Sequence, residues 1–107
     1  MSIELNRDNY ESETLQSEKP VLVDFWGPQC RPCLALMPVI HELEEVYENR
    51  LKVAKVNVTQ NRMLCARLRI MSVPAYLFYK DGEERNRLVG ENITRSAIVE
   101  AIEALVD

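Results

Sequence analysis

Val21-Leu22-Val23-Asp24-Phe25-Trp26-Gly27-Pro28-Gln29-Cys30-Arg31-Pro32-Cys33 is the stretch that decides the fold. Its first six residues are apolar apart from Asp24, the pattern of a short strand buried on both faces. After Cys33, the apolar residues Leu34, Met37, Ile40, Leu43 and Tyr47 recur at helical spacing. A strand therefore runs into a short turn, and the turn into a helix whose first turn carries both sulfurs. Side chains three apart on one helical turn are neighbours, close enough for a small-ring disulfide if the geometry permits. The unpaired N–H groups and partial positive charge of a helix N-terminus stabilise a thiolate over a thiol. The chemistry this favours is thiol–disulfide exchange.

Outward from that stretch, Leu51 to Val58 predicts a second buried strand, rich in valine and interrupted by Lys55. Strand, helix and strand in that order form a βαβ crossover, so the two strands are expected to be parallel. Pro38 removes one backbone donor from the intervening helix and is expected to kink it. Glu42, Glu44, Glu45 and Glu48 give that helix a solvated acidic face, with His41 exposed among them. Upstream, residues 2 to 5 offer a short edge strand. Asp8 is expected to cap a helix through about Ser17, with Tyr10, Thr14 and Leu15 as a weak apolar face, until Lys19-Pro20 breaks it. Downstream, the pattern predicts a short helix over Asn61 to Leu68 and a strand over Ala75 to Lys80. Asp81-Gly82 is a hairpin turn signal, and Arg85 to Val89 is the returning strand. Thr94 caps a last helix through Val106, with Ile98, Ala101, Ile102 and Leu105 at helical spacing. The expected fold is α/β, a central mixed β-sheet of about five strands with about four helices on its two faces.

The 107 residues point to a single domain spanning residues 1–107. Hydrophobic residues make up 47% and charged residues 28%, ordinary values for a soluble globular chain. No apolar run approaches the roughly 18 residues of a membrane span. The start, Met1 to Asp8, has neither a basic nor an apolar signal region, so a cytoplasmic location is expected. The net charge is −4, and no segment gathers Lys and Arg as a nucleic-acid footprint requires. Three cysteines without an export signal do not make a disulfide scaffold, which leaves a close pair catalytic or metal-binding. A zinc site needs four ligands, usually supplied as two close pairs, and only Cys65 and His41 remain to join Cys30 and Cys33. No metal is therefore expected.

The run Val21 to Trp26 ahead of the cysteines, Pro38, and Val53-Ala54-Lys55-Val56-Asn57 fit one family pattern. So do Ser72-Val73-Pro74, Lys80-Asp81-Gly82 and Gly90. In their order and spacing the chain resembles the thioredoxin family, most clearly over residues 20 to 106. The resemblance implies a protein-disulfide oxidoreductase acting on disulfide-containing proteins and recharged by a thioredoxin reductase. It implies no bound cofactor beyond a redox-active Cys30–Cys33 disulfide; composition argues against nucleic acid and membrane, and nothing in the sequence demands more than a monomer. Cys30, at the helix tip, takes the role of nucleophile, and Cys33, one turn inside, that of the resolving thiol. Asp24 matches the family's buried carboxylate, which deprotonates the second cysteine through water; the alternative is a carboxylate hydrogen-bonded within the core. Lys55 matches the lysine that approaches this acid, or else is a snorkelling strand lysine. By the same resemblance the Val73–Pro74 bond is cis and offers the Val73 backbone to an extended substrate, the alternative being an ordinary turn proline. Gly90 and Trp26 complete an apolar recognition surface, unless Trp26 is largely core.

Several positions depart from the family. Arg31-Pro32 stands between the cysteines where Gly-Pro is usual. Pro32 suits a first helical turn, where its missing N–H is no loss. A guanidinium at Arg31 is expected to favour the Cys30 thiolate and make the couple less reducing, unless it points into solvent. Gln29 occupies the place of a second tryptophan and alters the surface that substrates touch. Leu34 replaces a typical lysine and extends an apolar docking patch. Cys65 is expected to be a small buried hydrophobe rather than a regulatory thiol, and Met63 and Met71 to fill core rather than flank the active face. Two further readings are a specialised oxidant or isomerase, and a binding module whose cysteines are incidental.

Overall fold

The computed structural model describes residues 2–107. Its strands are β1 (Ile3–Glu4), β2 (Val21–Trp26), β3 (Lys52–Asn57), β4 (Ala75–Lys80) and β5 (Glu83–Val89). They form one mixed sheet in the order β1-β3-β2-β4-β5. β1 and β2 run parallel to β3, whereas β4 is antiparallel to both β2 and β5. The helices are α1 (Tyr10–Glu13), α2 (Arg31–Val46), α3 (Arg62–Arg67) and α4 (Arg95–Val106), with a 3-10 turn at Val58–Gln60.

Alternation along the central strand explains the two cores. Val21, Val23 and Phe25 face one side with Ala54, Val56 and Leu77, covered by Tyr10 of α1 and Leu64 of α3. Leu22 faces the other side with Val53, Tyr76 and Phe78, covered by Ile40 and Leu43 of α2 and by Ile98 and Ile102 of α4. Period two then sends Asp24 to the same side as Leu22, beneath the helix that begins at the cysteines. α2 continues through Pro38 from Arg31 to Val46. At the hairpin, Asp81 and Gly82 have φ of 53° and 82°, the paired positive values a tight turn between twisted strands needs. Thr94 caps α4 by accepting the Ala97 N–H at 3.2 Å.

β5 starts at Glu83 rather than Arg85, and the first helix departs further from expectation. α1 is only four residues long, and Asp8 does not cap it. Asn9 stands at its N-cap without a side-chain cap bond; in the turn before it, Asn6 Oδ1 accepts the N–H groups of Asp8 at 2.8 Å and Asn9 at 3.3 Å. Asn9 returns the favour, accepting the Asn6 N–H at 2.7 Å. An asparagine pair thus nucleates the turn, and the helix ends where the chain turns at Thr14, well short of Ser17.

Candidate active site

Cys30 is the N-cap of α2, with extended backbone and a sulfur that accepts the Cys33 N–H at 3.2 Å. The turn before it is closed by the Cys30 N–H donating to the Gly27 carbonyl at 3.1 Å, with Pro28 in its favoured second position. Pro32 sits in the first turn, where a helix has N–H groups to spare. The two sulfurs are joined, with Cα atoms 5.2 Å apart. Cys33 is 1% exposed and Cys30 is half-buried, so Cys30 is the sulfur a partner meets first. Arg31 and Gln29 lie in the open beside it.

Behind the cysteines a polar row crosses the sheet. Asp24 stands opposite Lys55 on β3 and Tyr76 on β4, and Lys55 stands opposite Glu4 on β1. Asp24 is 1% exposed, and neither of its oxygens has a hydrogen-bond partner among the described residues. Burial pushes its pKa up from 3.8 to about 7; Lys55 pulls it back by less, and Glu4 adds to the rise. The Tyr76 hydroxyl is likewise buried without a partner among the described residues, its pKa raised by burial and by Asp24.

Lys55 is buried in register beside the acid but does not hydrogen-bond it. Its ammonium instead contacts His41 Nε2 at 2.7 Å and Met37 Sδ at 3.6 Å. His41 is exposed as expected, yet it is not idle. The signal was present in part: Met37 and His41 are four apart and share one face of α2.

At the same end of the sheet, Phe25 pairs with Ala75, so the next residues out, Trp26 and Pro74, are neighbours. The Val73–Pro74 bond is cis. The Gly90 N–H donates to the Pro74 carbonyl at 3.0 Å, and the φ of Gly90, 112°, is one a side chain would strain. Trp26, Val73, Pro74 and Gly90 therefore gather where β2 delivers the chain to Cys30. Trp26 is half-buried, with its ring N–H buried and without a partner among the described residues.

Leu34 is exposed, as a docking patch requires. Met63 and Met71, expected in the core, are 79% and 88% exposed. Met63 precedes the buried Leu64 and Cys65 on the outer side of the short α3, and Met71 lies just before the bend that carries Val73. Cys65 is buried, and burial raises its pKa, as befits a small hydrophobe. Among the described residues, no three His, Cys, Asp or Glu side chains gather into a metal-holding group, and no helix is long and apolar enough to cross a membrane.

Comparison with known proteins bears on this arrangement directly. The thioredoxin family model matches residues 1–104. A thioredoxin of Acetoanaerobium sticklandii is 40% identical over 99 residues, covering 92% of this chain and 93% of that one. Thioredoxin C-2 of Corynebacterium nephridii is 41% identical over 83 residues, 78% of this chain and 77% of that one. A chloroplastic M-type thioredoxin of Spinacia oleracea is 35% identical over 100 residues, 94% of this chain but 55% of that longer one. With a joined cysteine pair capping the helix after a buried strand, and these likenesses over most of its length, the chain belongs to the thioredoxin family and is a thiol–disulfide oxidoreductase.

Proposed function

We propose that the chain is a cytoplasmic dithiol donor, working as a monomeric single domain that a thioredoxin reductase recharges and that reduces disulfides in other proteins. The observation that carries this reading is the asymmetry of the pair. Cys30 caps the helix and is open to a partner, while Cys33 lies one turn inside, buried and already bonded to it. In the reduced protein, the Cys30 thiolate attacks a substrate disulfide, forming a mixed disulfide and releasing the first substrate sulfur, which takes up a proton. Cys33 then gives its proton to Asp24 through water, and its thiolate attacks the Cys30 sulfur. The Cys30–Cys33 bond forms, the bond to substrate breaks, and the second substrate sulfur leaves to be protonated. Two electrons and two protons pass to the substrate in all. An acid with a pKa near 7 is well matched to take and return a proton at neutral pH. The second step is intramolecular, which makes it fast.

An extended substrate segment would lie along the Val73 backbone beside Pro74, flanked by Trp26, Gln29 and Gly90, with the exposed Leu34 and Met71 widening the apolar contact. Lys55 tunes Asp24, and Pro32 shapes the first turn. One feature favours a second reading, an oxidant or isomerase: Arg31 follows Cys30 directly in the chain, and a guanidinium that stabilised the thiolate would make the disulfide more oxidising. Reduction of insulin by dithiothreitol tests the main reading. Wild-type protein accelerates it and Cys30→Ser does not; acceleration that survives Cys30→Ser would refute the reading. Loss of turnover with partner binding intact separates the enzyme from a mere binding module. Measurement of the Cys30–Cys33 reduction potential separates donor from oxidant.

A further inference from the structure

Lys55 is a cation held inside the fold, 9% exposed, between two sets of neighbours. On one side is Asp24, in register on β2 with both oxygens unpartnered. On the other is α2, where Met37 and His41 sit one turn apart and receive the ammonium at 3.6 and 2.7 Å. A lysine ammonium has only donors, so His41 Nε2 accepts and the imidazole keeps its proton on Nδ1. We infer that His41 is a positioning residue for the exchange reaction: it holds the Lys55 ammonium on α2 and so keeps that cation off the Asp24 carboxyl. The inference rests on the reading of Asp24 as the base that serves Cys33.

The physical reason is direct. An ammonium brought against Asp24 favours the carboxylate and lowers its pKa, by about one to three units for a close pair. A more acidic Asp24 is a weaker base and takes the Cys33 proton less readily. With the cation tethered outward, desolvation dominates and Asp24 stays basic enough for the task. Other charges share the cleft between β1, β3 and α2. Glu4 comes from β1, opposite Lys55, and Glu44, Glu45 and Glu48 line the cleft from α2. Lys19 and Lys52 line it too, but their ammonium groups are engaged by the Glu48 carbonyl and the Glu13 carboxylate. From β4, Tyr76 faces the acid.

Carboxyl carbon NMR of the oxidised protein, labelled at aspartate, reads the Asp24 titration without interference from the active-site thiols. His41→Ala is expected to lower the Asp24 midpoint by about one pH unit. His41→Gln, whose side-chain oxygen can still accept from Lys55, is expected to keep it near the wild-type value. In a Lys55→Met background, His41→Ala is expected to move nothing further. A midpoint unchanged in His41→Ala overturns the inference, as does a shift that persists without Lys55. Unimpaired turnover of Asp24→Asn would instead overturn the underlying reading of Asp24 as the base, whichever way the midpoint moves.

Discussion

The two faces of the sheet treat buried polarity in opposite ways. Under α1 and α3, the hydroxyls of Tyr10 and Tyr79 meet at 2.7 Å, each satisfying the other inside an otherwise apolar core. Under α2 and α4, Asp24 and Tyr76 bring their oxygens to the interior and find no partner among the described residues. Trp26, whose ring N–H is also unpartnered, shares the parity of Asp24 along β2. An unsatisfied buried polar group costs about 1–3 kcal/mol, and more when charged. The uncompensated groups lie on the strands next to the helix that carries the cysteines, and the satisfied pair lies away from it. One face is built for stability; the other gives up some stability and keeps an acid that can change its protonation near neutral pH.

Asp24→Asn probes this contrast with the largest expected effects. Turnover in the insulin assay is expected to fall about tenfold to a hundredfold, at or below the low end of general-base contributions because the proton passes through water. Stability is expected to rise. Because the Asp24 pKa is raised from 3.8 to about 7 on folding, the folded state binds more protons between those values, and stability contributed by this group falls as pH climbs through that window. Urea unfolding near pH 8 is therefore expected to show Asp24→Asn more stable by about 2–4 kcal/mol, a gain that shrinks toward zero near pH 4. Equal stability of the two proteins at pH 8 would erase the contrast between the faces.

The tyrosines sharpen the comparison at a smaller scale. Tyr10→Phe leaves the Tyr79 hydroxyl without its partner and is expected to cost about 1–2 kcal/mol. Tyr76→Phe removes a hydroxyl that has none and is expected to be neutral or to stabilise by up to about 1 kcal/mol. The same loss in both variants, read by urea unfolding, would show that pairing does not distinguish the two sides. Smallest of all is Arg31→Gly. An exposed charge is screened where a buried one is not, so the reduction potential is expected to fall by only about 10–20 mV, toward a more reducing couple. A rise in potential would contradict the sign.

Much of this was legible in the sequence because it is local. The strand Val21 to Trp26, the cysteine pair and the helical spacing after it fix the crossover, and Asp24 stands out as a carboxylate in an apolar run. Asp81-Gly82 and Thr94 act through their own backbone neighbours and were read correctly. The features that were not legible depend on side chains far apart in the chain. The contact of His41 with Lys55 joins a helix to a strand and needs the register of β3 against α2. Tyr76 lies in the apolar run Ala75 to Tyr79, where nothing marks its hydroxyl as unpaired while that of Tyr79 is paired. Met63 and Met71 read as core by hydrophobicity alone, but a two-turn helix and the approach to a bend leave them no interior to enter. Asp8 suits a cap by type, but the turn before α1 is closed by the reciprocal bonds of Asn6 and Asn9, which residue type alone does not reveal.

The division of labour between the two cysteines is tested most directly by trapping. Reduced Cys33→Ser protein mixed with a disulfide-bonded substrate is expected to accumulate a covalent complex, and peptide mass spectrometry is expected to place the link at Cys30. Reduced Cys30→Ser protein treated identically is expected to form none. A stable link through Cys33, or no complex with either variant, would contradict the assignment of the more accessible, helix-capping sulfur as the one that attacks.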